Sequence, residues 1–338
     1  MDRITIIGYS NIGLSMALGI KGIALKDTEI VGTSGDRRWR DKAVKTGAFD
    51  EVVSNLGDAL RGANLVILDT LPSETNDMVK AIGPVLENGC IVTYTGKSMA
   101  QVLQLADTHF GPDTTFVAGR PLLQAATDDL DGADAAVFDG THYCLVPSLK
   151  ARPEGVKTVV GLVEALGATP LFIDAHEHDS YASAVTLMPS ILSSALMNAV
   201  SDSPAWRDMS KLAGDEFREM SKLTSGDPLD LAAAIESNTE PVVHWIDQMI
   251  GALTAYREII QGPKDVVEDS LIQAWEERAK WEMGGIVEDS GPEAPSAGET
   301  VASMFVGRRL AGRVKDMNNA NKSAPWRYTK KKKTEPSK

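Results

Sequence analysis

Apolar positions come in short bursts along the first half of the chain and in long helical stripes along the second. Ile4-Thr5-Ile6-Ile7-Gly8 is a compact apolar run that ends in glycine, and a helical stretch follows from about residue 11 to 21. Residues 29–33 read as a second strand and 36–46 as a polar helix. Residues 64–69 are almost unbroken apolar, as in a strand buried on both faces of a parallel sheet. A helix is predicted over 74–85, strands over 90–94, 115–118, 143–147 and 170–173, and an amphipathic helix over 154–166. Strands alternating with helices of this length predict a doubly wound α/β sheet. Past residue 174 the period-two runs stop. Helices are expected over 179–200, with Pro189 as a kink point, over 205–222, from Asp227-Pro228 to about 260, and over 263–282. Residues 283–300 carry Gly-Gly, Pro292, Pro295 and several acids and read as a linker, with a last helix over 300–315.

Composition narrows the class. The chain has 338 residues, 43% hydrophobic and 24% charged, which suits a two-domain soluble protein. Its net charge of −13 is uneven. From Phe305 to Lys338 eleven Lys/Arg face two acids, leaving the body strongly acidic. An acidic body argues against nucleic acid as the main partner, and the Lys330–Lys333 run reads as a solvated terminus, the alternative being a nucleic-acid or membrane contact. No uncharged apolar run reaches the roughly 20 residues that span a bilayer, and no leader is legible, so neither a membrane nor secretion is expected. Cys90 and Cys144 sit in apolar strands and read as reduced core thiols of a cytoplasmic protein.

The chemistry begins at the first turn. Gly8-Tyr9-Ser10-Asn11-Ile12-Gly13 ends a strand and opens a helix, the setting of the dinucleotide fingerprint G-x-G-x-x-G. The middle glycine is replaced by Ser10, whose hydroxyl can face a phosphate. A diphosphate would rest on the amides that start the helix. The second strand ends in Thr33-Ser34-Gly35 with no acid at its tip, and Arg37, Arg38 and Arg40 follow, a pattern suited to a 2′-phosphate and hence to NADP. The alternative is that Asp36 takes the ribose of NAD and the arginines are a solvated face. The expected cofactor set is Gly8, Ser10, Asn11, Ile12, Gly13, Ser34, Arg37, Arg38 and Thr70. The fold expected is an N-terminal Rossmann sheet over 1–174, a helical substrate and dimerisation domain over 175–285, and a linker, short helix and basic tail over 286–338.

Longer pieces then line up. Ile12-Gly13-Leu14-Ser15-Met16-Ala17 is followed by Phe116-Val117-Ala118-Gly119-Arg120-Pro121, by Ala133-Asp134 through Asp139-Gly140, and by His178-Asp179. Leu212-Ala213-Gly214, Phe217-Arg218, Ser221-Lys222-Leu223, Asp227-Pro228 and Asn238 complete the series. Taken in this order they make residues 3–260 resemble the prephenate/arogenate dehydrogenase family, which oxidatively decarboxylates prephenate or arogenate on the way to tyrosine. The resemblance implies an oxidoreductase acting on a small carboxylate-bearing substrate, and a homodimer paired through the helices. The stripe Val185, Leu187, Met188, Ile191, Leu192, Leu196 and Met197 is too extensive for packing on one side only.

The sequence departs from that family in one region. Where the family carries the histidine that takes the substrate's hydroxyl proton, this chain has Arg120, which stays protonated and is no general base. Its turn after the fifth strand reads Gly96-Lys97-Ser98, its His-Leu-Pro-His stretch is Leu187-Met188-Pro189-Ser190, and its substrate-binding arginine is Lys222. Lys97 is therefore the candidate proton carrier, with a pKa expected to fall through burial and the neighbouring Arg120. A solvated or phosphate-contacting lysine is the alternative. Arg120, Lys222 and Ser190 are candidate substrate contacts, and Ser98 a hydrogen-bond donor beside the chemistry. Two rival functions remain: reduction of a keto acid or imine with Lys97 as donor, and a non-catalytic dinucleotide-binding regulator. His178, held by Asp179, is expected to be structural or an interdomain contact, and no metal site is expected.

Overall fold

A computed structural model describes residues 2–23, 25–123 and 129–283. The expected helix at 300–315, the linker and the basic tail lie outside those residues. The chain divides into two compact units, Met1–Gln248 and Met249–Lys338.

The first unit opens with β1 (Asp2–Gly8), α1 (Asn11–Ile23), β2 (Thr28–Thr33), α2 (Arg37–Thr46), β3 (Glu51–Val53) and α3 (Leu56–Leu60). Next come β4 (Leu65–Asp69), α4 (Pro72–Ile82), β5 (Ile91–Tyr94), α5 (Ala100–His109) and β6 (Thr115–Pro121). The sheet ends with β7 (His142–Pro147), α6 (Pro153–Ala165) and β8 (Thr169–Phe172). These eight strands form one sheet in the order β3-β2-β1-β4-β5-β6-β7-β8. All neighbours are parallel except β6 and β7, which run antiparallel with Arg120 opposite Cys144. The order reverses between β1 and β4, so a crevice opens beyond the ends of these two strands.

Both faces of the sheet are covered, which is why its strands are so uniformly apolar. Ile4, Ile6 and Ile67 turn to one side, onto Leu14, Met16 and Ile20 of α1 and Leu162 and Leu166 from α6 and its end. Ile7, Val66, Leu68, Val92 and Phe116 turn to the other, onto Val79 and Ile82 of α4 and Val102 of α5. The alternation follows the period-two geometry of a strand. β3 and α3 were not predicted, because three residues beginning with Glu51 carry too little apolar signal. Both cysteines are buried and free, and burial pushes the Cys90 thiol up to about 12.

After the sheet come α7 (Ala175–Ala182), α8 (Met188–Ser201), α9 (Trp206–Met209), α10 (Asp215–Ser221), α11 (Pro228–Glu236), α12 (Thr239–Gln261) and α13 (Lys264–Glu282). The expected 179–200 helix does bend, but ahead of Pro189: a π-turn over Ser183–Leu187 joins α7 to α8. Proline at the second position of α8 lacks an N–H, and the wider turn absorbs the missing bond. The stretch expected to run from 228 to 260 is split at Ser237 and Asn238, where Asn238 Nδ2 donates to Ala234 O (2.8 Å). Leu187, Ile191, Ala234 and Val242 form a small third core. α11 packs across α4, so the first compact unit continues past the sheet to Gln248, inside α12.

The helical run Ala175–Ser201 is 27 residues long, and its most apolar stretch has a mean hydropathy of 1.4 with 22% of it buried. By length and composition alone it could cross a membrane, which corrects the expectation that no stretch could. Val185 on this run, and Ile250, Leu253, Ile260 and Trp275 on α12 and α13, are also exposed.

Two glycines of the sheet unit make opposite predictions. A Cβ on Gly8 would lie 2.0 Å from Trp39, a fully buried ring. Gly22, in α1, has nothing within 4 Å of its Cβ position. Urea denaturation should show Gly8→Ala losing about 3 kcal/mol through overpacking. Gly22→Ala should gain up to about 1 kcal/mol through helix propensity.

Candidate active site

The first turn is built around a carboxylate from the next strand. Asp69 ends β4 and is 3% exposed. Its Oδ2 accepts from the backbone N–H of Ser10 (2.9 Å), Gly13 (3.0 Å) and Tyr9 (3.3 Å). Its Oδ1 accepts from Ser10 Oγ (2.7 Å) and Thr95 Oγ1 (3.1 Å). Ser10 Oγ in turn accepts from the Ile12 N–H (3.0 Å). The two fingerprint glycines are explained by the protein's own side chains. Gly13 leaves room for Asp69, whose Oδ2 would sit 2.6 Å from a Cβ there. Gly8 leaves room for Trp39, whose Nε1 donates to Ser10 O (3.0 Å).

Tyr9 extends from this turn toward the tip of β2. Its hydroxyl lies between the Gly35 backbone and the Glu74 carboxylate, and burial together with Glu74 raises its pKa. At the tip, Ser34 is buried and its Oγ accepts from Asp36 N (3.0 Å). Asp36 caps α2 by accepting from Arg38 N (2.7 Å), and Arg38 Nη2 also reaches it at 3.1 Å. Arg40 turns back onto the carbonyls of Ser34 and Gly35. Arg37 is exposed and pairs with Asp41 at 3.6 Å. Thr70 meets Thr75 at 2.8 Å, hydroxyl to hydroxyl.

A second cluster gathers one step along the sheet. Arg120, near the end of β6, donates from Nη2 to Thr186 Oγ1 (3.1 Å), which the π-turn presents. Burial lowers the arginine's pKa, while Cys144, Asp179 and Tyr94 oppose that shift. Tyr94 ends β5 and is fully buried. Burial, with Asp179 and Asp69 adding to it, pushes its phenol up to about 12. Asp179 is the hub behind them. Its Oδ1 accepts from Met99 N (2.8 Å) and its Oδ2 from Ala100 N (2.9 Å), so a residue of α7 caps α5. His178 Nδ1 also meets Asp179 Oδ1 (2.9 Å). Ser73 Oγ donates to Asp230 Oδ1 (2.5 Å), tying α4 to α11.

Between α4, α5 and α11 lies a narrow slot lined by Thr75, Tyr94, Lys97, Ser98 and Asn238 among others. Ser98 Oγ and Asn238 Oδ1 are buried there without a protein partner. Lys97 stands exposed on the slot, so the burial expected to tune it is missing. Lys222 is exposed on the short 3₁₀ turn after α10, and Ser190 is half-buried in α8; neither lines the slot. The structure thus gathers Lys97, Ser98 and Tyr94 in the slot and places Arg120 electrostatically beside Tyr94.

Two family models match this chain: prephenate dehydrogenase, nucleotide-binding domain, over residues 18–171, and prephenate dehydrogenase, dimerization domain, over 174–276. The chain belongs to the prephenate dehydrogenase family. It is a nicotinamide-dinucleotide-dependent oxidoreductase of the prephenate/arogenate dehydrogenase type, and the reductase and regulator alternatives are not favoured. Prephenate dehydrogenase of Lactococcus lactis subsp. cremoris is 29% identical over 250 residues, 73% of this chain and 68% of that protein. The Bacillus subtilis enzyme is 22% identical over 271 residues, 77% of this chain and 70% of that one. The fold matches prephenate dehydrogenase from A. aeolicus, solved with hydroxyphenyl propionate and NAD+. The TM-score is 0.72 at 21% identity, covering 84% of this chain and 98% of that one.

The first turn of this family member is already occupied by a carboxylate of its own. A diphosphate needs the amides that open α1, and here those of Ser10 and Gly13 are turned onto Asp69. As folded, the turn does not admit a diphosphate at those two N–H groups. Sequence reading missed Asp69, although a carboxylate closing an otherwise apolar strand was a visible signal. The Ser10 hydroxyl, expected to be able to face a phosphate, donates to Asp69 in this structure.

Tyr94 gives a pH prediction. Its folded pKa lies above the ordinary value near 10, so the unfolded phenol loses its proton first as pH rises. Its contribution to stability is intact below about pH 10 and is lost between about pH 10 and 12, at about 1.4 kcal/mol per pH unit. Chemical denaturation from pH 9 to 11.5 should show this fall, and Tyr94→Phe should make it shallower.

Proposed function

We propose that the chain oxidises a small cyclohexadienyl acid, prephenate or arogenate, with NADP as cofactor, as a homodimer in the cytoplasm. The reading keeps cofactor binding in residues 1–174 and substrate binding and pairing in 175–285. The observation that carries it is Arg120: a largely buried cation at the C-terminal edge of the sheet, beside Tyr94 and Thr186. A guanidinium there is a strong bidentate site for a carboxylate. The relatives named prephenate dehydrogenase act on a dicarboxylic cyclohexadienol, and this cation suits such a substrate.

Hydride acceptance is the chemistry that nicotinamide supplies when bound. The rest falls to the chain. Arg120 holds a substrate carboxylate and stabilises negative charge near the reacting carbon, while its permanent proton bars it from acting as base. Lys97, on the rim of the slot, takes the hydroxyl proton in its neutral amine form and passes it to solvent, which ties turnover to rising pH, and Ser98 orients that hydroxyl. Lys222 and Ser190 contribute further polar contacts to the acid. At the β2 tip, Asp36 is already held by Arg38, which favours NADP over NAD: the acid that would grip a ribose is spent as a helix cap. Arg37 and Arg38 are then the charges that meet a 2′-phosphate. The exposed apolar residues of α12 and α13 suit the pairing surface of the matched dimerization domain.

Steady-state assays with prephenate and arogenate test this reading. Arg120→Gln should raise KM about ten- to a hundredfold, the loss of one charge-assisted interaction. Lys97→Met should lower kcat by about a hundredfold with little change in KM. Arg38→Ala should weaken NADP and leave NAD unchanged. No turnover of either acid by the unaltered protein with either cofactor would overturn the substrate reading.

A further inference from the structure

We propose that Asp69 and Ser10 act together as a built-in competitor for the cofactor's diphosphate and thereby set dinucleotide affinity. The inference rests on the reading of this cleft as a dinucleotide site. Three backbone N–H groups and two hydroxyls converge on the one carboxylate, which is almost wholly buried. Such a ring of donors at the start of a helix is what an anion seeks. Here the protein supplies the anion itself. Ser10, the residue that interrupts the glycine fingerprint, is the partner that pins it: one oxygen donates to Asp69 and accepts from Ile12 N–H. The serine that replaces glycine in the turn and the carboxylate at the end of β4 are one device.

The surroundings add to the effect. Glu74 lies against the hydroxyl of Tyr9, a residue of the same turn, which adds a second carboxylate to the neighbourhood. At the β2 tip, Arg40 is engaged with the carbonyls of Ser34 and Gly35. A dinucleotide therefore binds by exchange. Asp69 must release the Ser10 and Gly13 amides before phosphate oxygens can take them, and the work of that release is subtracted from affinity. The device acts on the diphosphate alone. A ligand lacking phosphate does not compete with Asp69.

Binding of NADP and NAD, and of adenosine as the phosphate-free control, can be measured by titration calorimetry and by ligand NMR. The proteins are the unaltered chain, Asp69→Ser, Asp69→Asn and Ser10→Gly. The expected result is at least tenfold tighter dinucleotide binding by Asp69→Ser and a smaller gain by Asp69→Asn and Ser10→Gly, with adenosine binding unchanged. Asp69→Asn preserves the size of the side chain and keeps the test valid should the serine variant fail to fold. Equal or weaker dinucleotide binding by folded Asp69 variants overturns the inference and leaves the dehydrogenase reading standing. A parallel gain for adenosine also overturns it, since that marks general loosening of the cleft. Dinucleotide binding by none of the four proteins overturns both the inference and the cofactor assignment.

Discussion

The carboxylate of Asp69 holds the centre of this molecule together. It joins the end of β4 to the turn between β1 and α1, and through Thr95 to the residue after β5. Three consecutive elements at the switch point of the sheet are thus fixed by one buried anion. The anion is tolerated because its oxygens are fully supplied with donors. Trp39 performs the matching task from below, filling the space that Gly8 leaves and bonding to Ser10 O. The crevice where a cofactor is expected is therefore shaped by internal packing before any ligand arrives.

A second set of carboxylates seats the helices α7 to α11 on the sheet. Asp179 caps α5 from α7, and Asp230 reaches the start of α4 from α11. Each satisfies helix N–H groups that have no partner inside their own helix. With α7 held at that point, the π-turn that follows brings Thr186 to Arg120. Position, charge and hydrogen bonding around Arg120 all trace back to these caps. The acidic character of the body has a structural use here: several of its carboxylates terminate helices instead of lying loose on the surface.

Much of the architecture could be read from the chain. The unbroken apolar runs at β1, β4, β5, β6 and β7 announce a sheet buried on two faces, and the loss of period-two runs after residue 174 announces the helices. The short polar β3 could not be seen, because its strand state is decided by pairing with β2. The π-turn escaped because a proline marks strain without saying where the chain yields. At the site, Arg120, Lys97 and Ser98 were picked out by comparison with a family pattern, and the structure brings Lys97 and Ser98 into one slot. Asp69 stood out as a carboxylate closing an apolar strand, but which backbone amides it and Asp179 would meet is decided by the packing of distant elements and leaves no trace in residue types.

A crystal structure of the chain grown with NADP is the most direct test of this account. The account predicts a diphosphate at the start of α1, with the Asp69 carboxylate withdrawn from the amides of Ser10 and Gly13. A dinucleotide bound elsewhere, or bound at that helix with all the Asp69 hydrogen bonds kept, would contradict it.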